Sequence, residues 1–460
     1  MACDANGETA DLSKDVSPDT LAPNNRLVIY ELPTAWSISR STDEPERATA
    51  TFADVNAMVD ATVGGANFAE LPILAPGTSY LTALGVNALE LLPCADSFYK
   101  REWGYDTSHY LAPDADLGYP EGNLSPTPNR DLATLIKSCH ANGLRFFIDV
   151  VMAFGKEDPY NHIDSQDFHL DDPAAAAKVN DPDAWTSFRS DGSRSFRNGF
   201  GSTLWRYANR VTTYDPVAGT AGPIAPAAQF MLTYLTRWME DFHVDGVRID
   251  SVENVANWDF LSAFKNLART MWKARWTALG LPGDAESRFL VVGEELSLPF
   301  DLLRNGVLDG LWNDDFQRRA RAAILGRNVD GEPTFEWTVK KAIDCRLLTA
   351  AGFTDGTQAV IYLTKHDVEG AERLFTMLGR IFPGQPDQVE RRIKLGFVCL
   401  LTAVGVPMLL AGEEFADQHD LFDINGRVDQ NGGKQIDPVN YSRITASGDD
   451  DDGHNAPMRR

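Results

Sequence analysis

Residues 242–250 read FHVDGVRID, and the chain is organised around them. Val244, Val247 and Ile249 predict a short buried strand. It follows FMLTYLTRWMEDF, in which Met231, Leu232, Leu235 and Trp238 recur at helical spacing. Arg248 and Asp250 close the strand two positions apart, so both side chains leave on one face at its C-terminal end. In an α/β barrel that end collects catalytic residues, because the loops that follow vary while the barrel stays rigid. The arginine is expected to keep Asp250 ionised by charge pairing, and an ionised Asp can act as a nucleophile. A structural ion pair at a strand end is the competing reading of G-x-R-x-D taken alone.

Seven further apolar runs have the same character. They are RLVIYEL from Arg26, GVNALELLP from Gly85, LRFFIDVV ending at Val151, FLVVGEE around Val292, GLWND around Trp312, AVIYLTKHD around Leu363 and GVPMLLAGEE around Leu409. Short, nearly continuous apolar runs are what parallel strands buried on both faces require. Helical stretches separate them, including DLATLIKSCHANG, with Asp131 as start signal and Gly143 past the end, and RRIKLGFVCLLTAV. Eight strands alternating with helices predict an α/β fold, a (β/α)8 TIM barrel.

The run from 152 to 226 is rich in Gly, Pro, Asp, Asn and aromatic residues and too long for an ordinary loop, so it is expected to form an inserted subdomain after strand 3. The expected division is a flexible leader over 1–24, barrel strands 1–3 over 25–151, the inserted subdomain over 152–226, strands 4–8 over 227–443, and a disordered acidic tail over 444–460. The last stretch has no apolar helical stripe, so the eighth outer helix is expected to be missing.

The chain has 460 residues, 43% hydrophobic and 23% charged, with a formal net charge of -24. That composition suits a globular protein, and the charge disfavours nucleic acid as a partner. Five widely spaced cysteines without a C-x-x-C pair indicate neither a disulfide framework nor a zinc site. With no signal-like N-terminus and no apolar run of the roughly 18 to 20 residues a membrane span needs, the expectation is a cytoplasmic protein without a membrane partner.

Two more carboxylates, Glu294 in VVGEE and Asp367 in LTKHD, follow predicted strands, so three acidic side chains converge on one barrel mouth. A pair at about 5 to 5.5 Å can carry out double displacement at a sugar carbon. FIDVVMAF, DGVRID, VVGEE and LTKHD together resemble, in order and spacing, the four signature regions of the α-amylase superfamily, glycoside hydrolase family 13. The resemblance extends from about Arg26 to Arg443.

It implies that Asp250 is the nucleophile, that Glu294 protonates the leaving oxygen and then activates the acceptor, and that Asp367 stabilises the oxocarbenium-like transition state. Arg248 would orient Asp250, and His366 would bind a hydroxyl of the same sugar. EWGYDTSHYLAPDADLG resembles the family's W-G-Y segment, which places Trp103 and Tyr105 at the substrate, the tyrosine stacked on the sugar.

The chain departs from the family where the first signature region usually ends in Asn-His, since Ala153 and Phe154 stand there. Alanine offers no side-chain oxygen to a hard cation, so no metal and no cofactor is expected, and Phe154 would meet the substrate without a hydroxyl contact. After Asp250 come Glu253 and Asn254 rather than the Lys-His of many α-amylases. IYELPTAW, VNALELLPCAD and MLLAGEEFAD resemble the branch containing glycogen branching and debranching enzymes and maltooligosyltrehalose trehalohydrolase, whose β-sandwich domains are not found here.

The function implied is a retaining hydrolase of α-glucosidic bonds in glycogen- or starch-type glucans or maltooligosaccharides. The alternatives are a branching or transglycosylating enzyme and a catalytically weak glucan-binding barrel. A phosphate-binding barrel isomerase is disfavoured, because no Gly-rich phosphate loop follows the seventh or eighth strand.

Overall fold

Eight apolar runs too short to be stable alone bury both faces by closing on one another. In a computed structural model of the chain, the described residues are 12, 15–38, 50–63, 74, 76–99, 103–118, 127–156, 165–215, 219–348, 352–368, 370–418 and 439–444. The barrel strands are β1 (Ile29–Leu32), β2 (Ala88–Leu91), β3 (Arg145–Val150), β4 (Gly246–Ile249), β5 (Leu290–Gly293), β6 (Gly310–Trp312), β7 (Ala359–Ile361) and β8 (Val406–Leu410). They form a closed parallel barrel in sequential order, with β8 pairing back to β1. Each lies within one of the eight runs read from the sequence.

The barrel interior is layered by strand alternation. Ile29, Ala88, Phe147, Leu290, Val292, Val360, Val406 and Met408 form an apolar plug. Gly246 lies in register with Phe147, and a Cβ there would fall 2.2 Å from the Phe147 ring, so glycine opens the motif for want of space. Two residues further along, Glu31, Glu90, Asp149 and Arg248 replace the apolar side chains, all buried. A charged layer therefore caps the plug on the side where the strands end.

Outside the barrel lie α1 (Phe52–Val59), α2 (Pro128–Ala141), α3 (Pro226–Asp241), α4 (Trp258–Ala278), α5 (Asp314–Ile324) and α6 (Pro386–Thr402). α2 starts earlier than its sequence suggests: Thr127 is the N-cap and Pro128 the first residue, while Asp131 sits in the first turn and accepts from the Thr127 hydroxyl at 2.5 Å. Gly143 follows the helix with φ +79°, as expected of a C-terminal glycine.

The described part of the leader is packed rather than flexible. Asp15 meets His140, His243 and Arg275, and Asn24 accepts from buried Arg145 at 2.7 Å, so this segment covers the N-terminal end of the barrel. Residues 1–11, 13 and 14, and the tail from 445 onward, lie outside the described residues.

Within 152–226, Phe154–Gly155, Thr203–Trp205 and His169–Leu170 make a three-stranded antiparallel sheet, and Val211–Asp215 pairs with Thr220–Ile224. Trp205 stacks on Phe230 of α3. Cys94, Cys139, Cys345 and Cys399 are free thiols. Among the described residues no helix is long and apolar enough to cross a membrane.

Candidate active site

Asp250 and Glu294 are the first residues beyond β4 and β5, and both remain tied to the barrel. The Asp250 N–H donates to Val150 O at 3.0 Å and the Glu294 N–H to Ile249 O at 2.9 Å. Ser251 then turns the chain through a left-handed conformation, φ +45°, a strained geometry for a residue with a side chain. The turn holds because the Val252 N–H donates to Glu294 O at 3.0 Å and Asn254 Nδ2 donates to Ser251 Oγ at 2.8 Å. Asp367 lies on the short 3-10 turn His366–Val368 after β7.

The structure brings the expected residues together. Trp103, Tyr105, Phe154, Asp250, Glu294, His366 and Asp367 line one cavity of about 620 Å³ at the C-terminal mouth of the barrel. Arg248 does not line it. Its guanidinium is fully buried beneath the floor and joins three carboxylates, with Nη1 2.6 Å from Asp149 and 3.0 Å from Asp250, and Nη2 2.6 Å from Glu294. It also lies over the Trp312 ring at 4.3 Å. Arg248 is therefore placed to orient carboxylates and not to touch a ligand.

Two effects oppose each other at Asp250: burial, with Glu294, Asp149 and Asp367 nearby, raises its carboxyl, while Arg248 at 3.0 Å lowers it. A single cation shared among three carboxylates cannot neutralise each. Burial also raises Glu294, yet Arg248 and Lys365 outweigh it and hold that carboxyl below its ordinary range.

His366 is fixed by two partners. Nδ1 donates to Glu31 Oε1 at 2.6 Å, and Nε2 lies 2.9 Å from the Tyr105 hydroxyl, which itself donates to Asp149 at 2.6 Å. The Tyr105 and His366 rings stack at 5.2 Å, and Trp103 meets His366 edge-on at 5.2 Å. Burial works against a charged ring, but Asp367 and Glu31 raise its affinity for a proton. Phe154 packs edge-on against Phe200, giving the cavity an apolar wall.

Several residues that matter here were not singled out in the sequence. Lys365, next to the expected His366 and Asp367, reaches Glu294 Oε1 at 2.6 Å. Glu31 and Glu90, cross-strand neighbours, are acidic interruptions in apolar strands, a signal available in IYEL and ALEL. Burial, followed by the charge of Glu31, pushes Glu90 well above the carboxylate range. Glu295 also lines the cavity, and burial pushes it to about 7. Arg189 of the inserted segment pairs at the rim with Glu253, which the sequence had already marked as a departure after Asp250. Among the described residues no group of His, Cys, Asp and Glu has the arrangement of a metal site.

Residues 78–269 match the family model of the α-amylase catalytic domain. This stretch of the chain is similar to the α-amylase catalytic domain. It is 28% identical over 247 residues to a malto-oligosyltrehalose trehalohydrolase of Deinococcus radiodurans, a match covering 54% of this chain and 32% of that protein. It is 25% identical over 190 residues to a 1,4-alpha-glucan branching enzyme of Nitratidesulfovibrio vulgaris, covering 39% of this chain and 22% of the relative. The alignments therefore span a third or less of those two proteins' length.

The fold of the chain superposes on a pullulanase of Paenibacillus barengoltzii, solved in complex with maltohexaose and alpha-cyclodextrin. The TM-score is 0.63 at 20% identity, covering all of this chain and 67% of that one. The likeness establishes the fold.

Proposed function

We propose that the protein is a retaining glycoside hydrolase acting on α-glucosidic bonds of glycogen- or starch-type glucans or maltooligosaccharides. The observation that carries this reading is the meeting of Asp250, Glu294 and Asp367 at one cavity, with Arg248 buried beneath and the Trp103 and Tyr105 rings beside it. A binding surface has no need of converging carboxylates, whose mutual repulsion costs stability.

In this reading an Asp250 oxygen attacks the anomeric carbon while the bond from that carbon to the bridging oxygen breaks. Glu294 gives its proton to the departing oxygen. In the second half, Glu294 takes a proton from water, the water oxygen bonds to the anomeric carbon, and Asp250 leaves as carboxylate. Asp367, whose side chain is 44% exposed, is open to sugar hydroxyls and stabilises the developing positive charge.

The productive form has Asp250 ionised and Glu294 protonated. The two carboxyls belong to one coupled titration.

Transfer to a sugar hydroxyl instead of water is the second reading, favoured by the similarity to a branching enzyme. NMR of the anomeric protons during incubation with glycogen and with maltoheptaose separates the two. Early α-anomer release supports the hydrolase, and new α-1,6 signals without reducing ends support transfer. No change in either substrate rejects both.

A further inference from the structure

Glu294 is the proton donor of the reading above, yet neither of its oxygens is free to donate. Oε2 accepts from Arg248 Nη2 at 2.6 Å, and Oε1 accepts from Lys365 Nζ at 2.6 Å. Lys365 is 1% exposed, its ammonium lies 5.1 Å from the Trp312 ring centroid, and its remaining anionic contact is Asp367 at 3.2 Å. A lysine buried this deeply is held by its partners.

We propose that Lys365 is a positioning residue of this site: its ammonium occupies the Glu294 oxygen from which a proton would reach the leaving group, and it restrains proton delivery until it is displaced. The proposal rests on the hydrolase reading only for its effect on turnover. The contact itself exists whatever the substrate.

The charges facing Glu294 come from every side. Arg248 approaches from β4, Asp250 from the turn after it, Glu90 from β2, Tyr362 from the end of β7, and Lys365 and Asp367 from the segment that follows. Arg248 is shared with Asp149 and Asp250, whereas among the described residues Lys365 is shared with Asp367 alone. Lys365 is thus the cation whose removal changes Glu294 most selectively. Its loss removes the cation at Glu294 Oε1 and so favours the protonated carboxyl, the form in which an acid can work.

The test uses the full chain with 13C-labelled glutamate carboxyls, the Glu294 signal being assigned by its absence in Glu294→Gln. In Lys365→Gln the Glu294 titration moves up by about one pH unit or more, and in Lys365→Arg it stays low. Turnover of maltoheptaose by Lys365→Gln rises about tenfold at neutral pH with its alkaline limb moved upward, while an aryl maltoside whose leaving group needs no proton changes little. An unmoved Glu294 titration overturns the proposal. So does a Lys365→Gln protein that loses turnover on both substrates alike, which would make the lysine part of the chemistry. If the titration moves and no variant or parent turns over any glucan, the positioning stands and the hydrolase reading falls.

Discussion

Arg248 and Asp149 are register partners on adjacent strands, and the arginine Nη1 donates to Asp149 Oδ2 at 2.6 Å inside a fully buried cluster. This pair anchors the guanidinium whose other contacts reach Asp250 and Glu294. Arg248→Met leaves three buried carboxylates without their common partner, so it is expected to cost about 3 to 5 kcal/mol. Denaturant unfolding of parent and variant checks this, and equal midpoints would refute it. Arg248→Lys does not restore turnover, because a point charge cannot bridge the carboxylates as a planar fork does.

Gly246 gives a steric prediction. The Phe147 ring occupies the place of its missing Cβ, with 2.2 Å to the nearest ring carbon. Gly246→Ala therefore lowers stability by about 1 to 3 kcal/mol, and adding Phe147→Leu recovers part of it. Thermal melts of the single and double variants decide, since a single variant that melts like the parent removes the argument.

At the other end of the barrel, His140 is clamped between Asp15 at 2.8 Å and Asp245 at 2.7 Å. Burial opposes its charge, but the two carboxylates raise it to about 9 from 6.5. A histidine raised on folding contributes stability that is complete below about 6.5 and lost as pH climbs through about 9. The parent is therefore expected to lose on the order of 3 kcal/mol across that window, and His140→Gln to lose much less. Unfolding free energies at pH 6 and 9.5 measure the difference, and identical pH slopes would contradict the clamp.

The eight strands were legible because each is a short apolar run, and all but LRFFIDVV end in or just before a Pro or a charge. Asp250, Glu294 and Asp367 were legible because charge at a strand end is expensive without a purpose. The charged floor was not. Glu31 and His366 are 335 positions apart in the chain, and nothing local announces their 2.6 Å contact. The charge environment of Asp250 was hidden for a related reason: the sequence shows its nearby Arg248 but not the other carboxylates that share that arginine. The packing of residues 15–24 was missed because their short 3-10 turns, Pro18–Thr20 and Asn24–Arg26, carry no periodic pattern.

Arg189 and Glu253 pair at the rim, between the cavity lined by Asp250, Glu294 and Asp367 and a neighbouring cavity of about 580 Å³ lined by Phe188, Trp258, Leu296 and Phe300. Arg189→Ala opens that boundary. Because the pair is partly exposed, folding is expected to be little affected, while the variant accepts longer maltooligosaccharides. Product chain lengths resolved by chromatography check this, and an unchanged distribution would exclude the pair as a boundary.

The most direct test of the account is to trap the covalent intermediate. A 5-fluoro α-glucosyl fluoride slows both chemical steps while carrying a leaving group that needs no proton, so the sugar accumulates on the nucleophile. Peptide mapping by mass spectrometry is expected to place one glucosyl adduct on Asp250, with none in Asp250→Asn and the adduct still formed in Glu294→Gln. An adduct on Asp149, Asp367 or Glu295 instead, or an adduct that persists in Asp250→Asn, would contradict the assignment on which the mechanism rests.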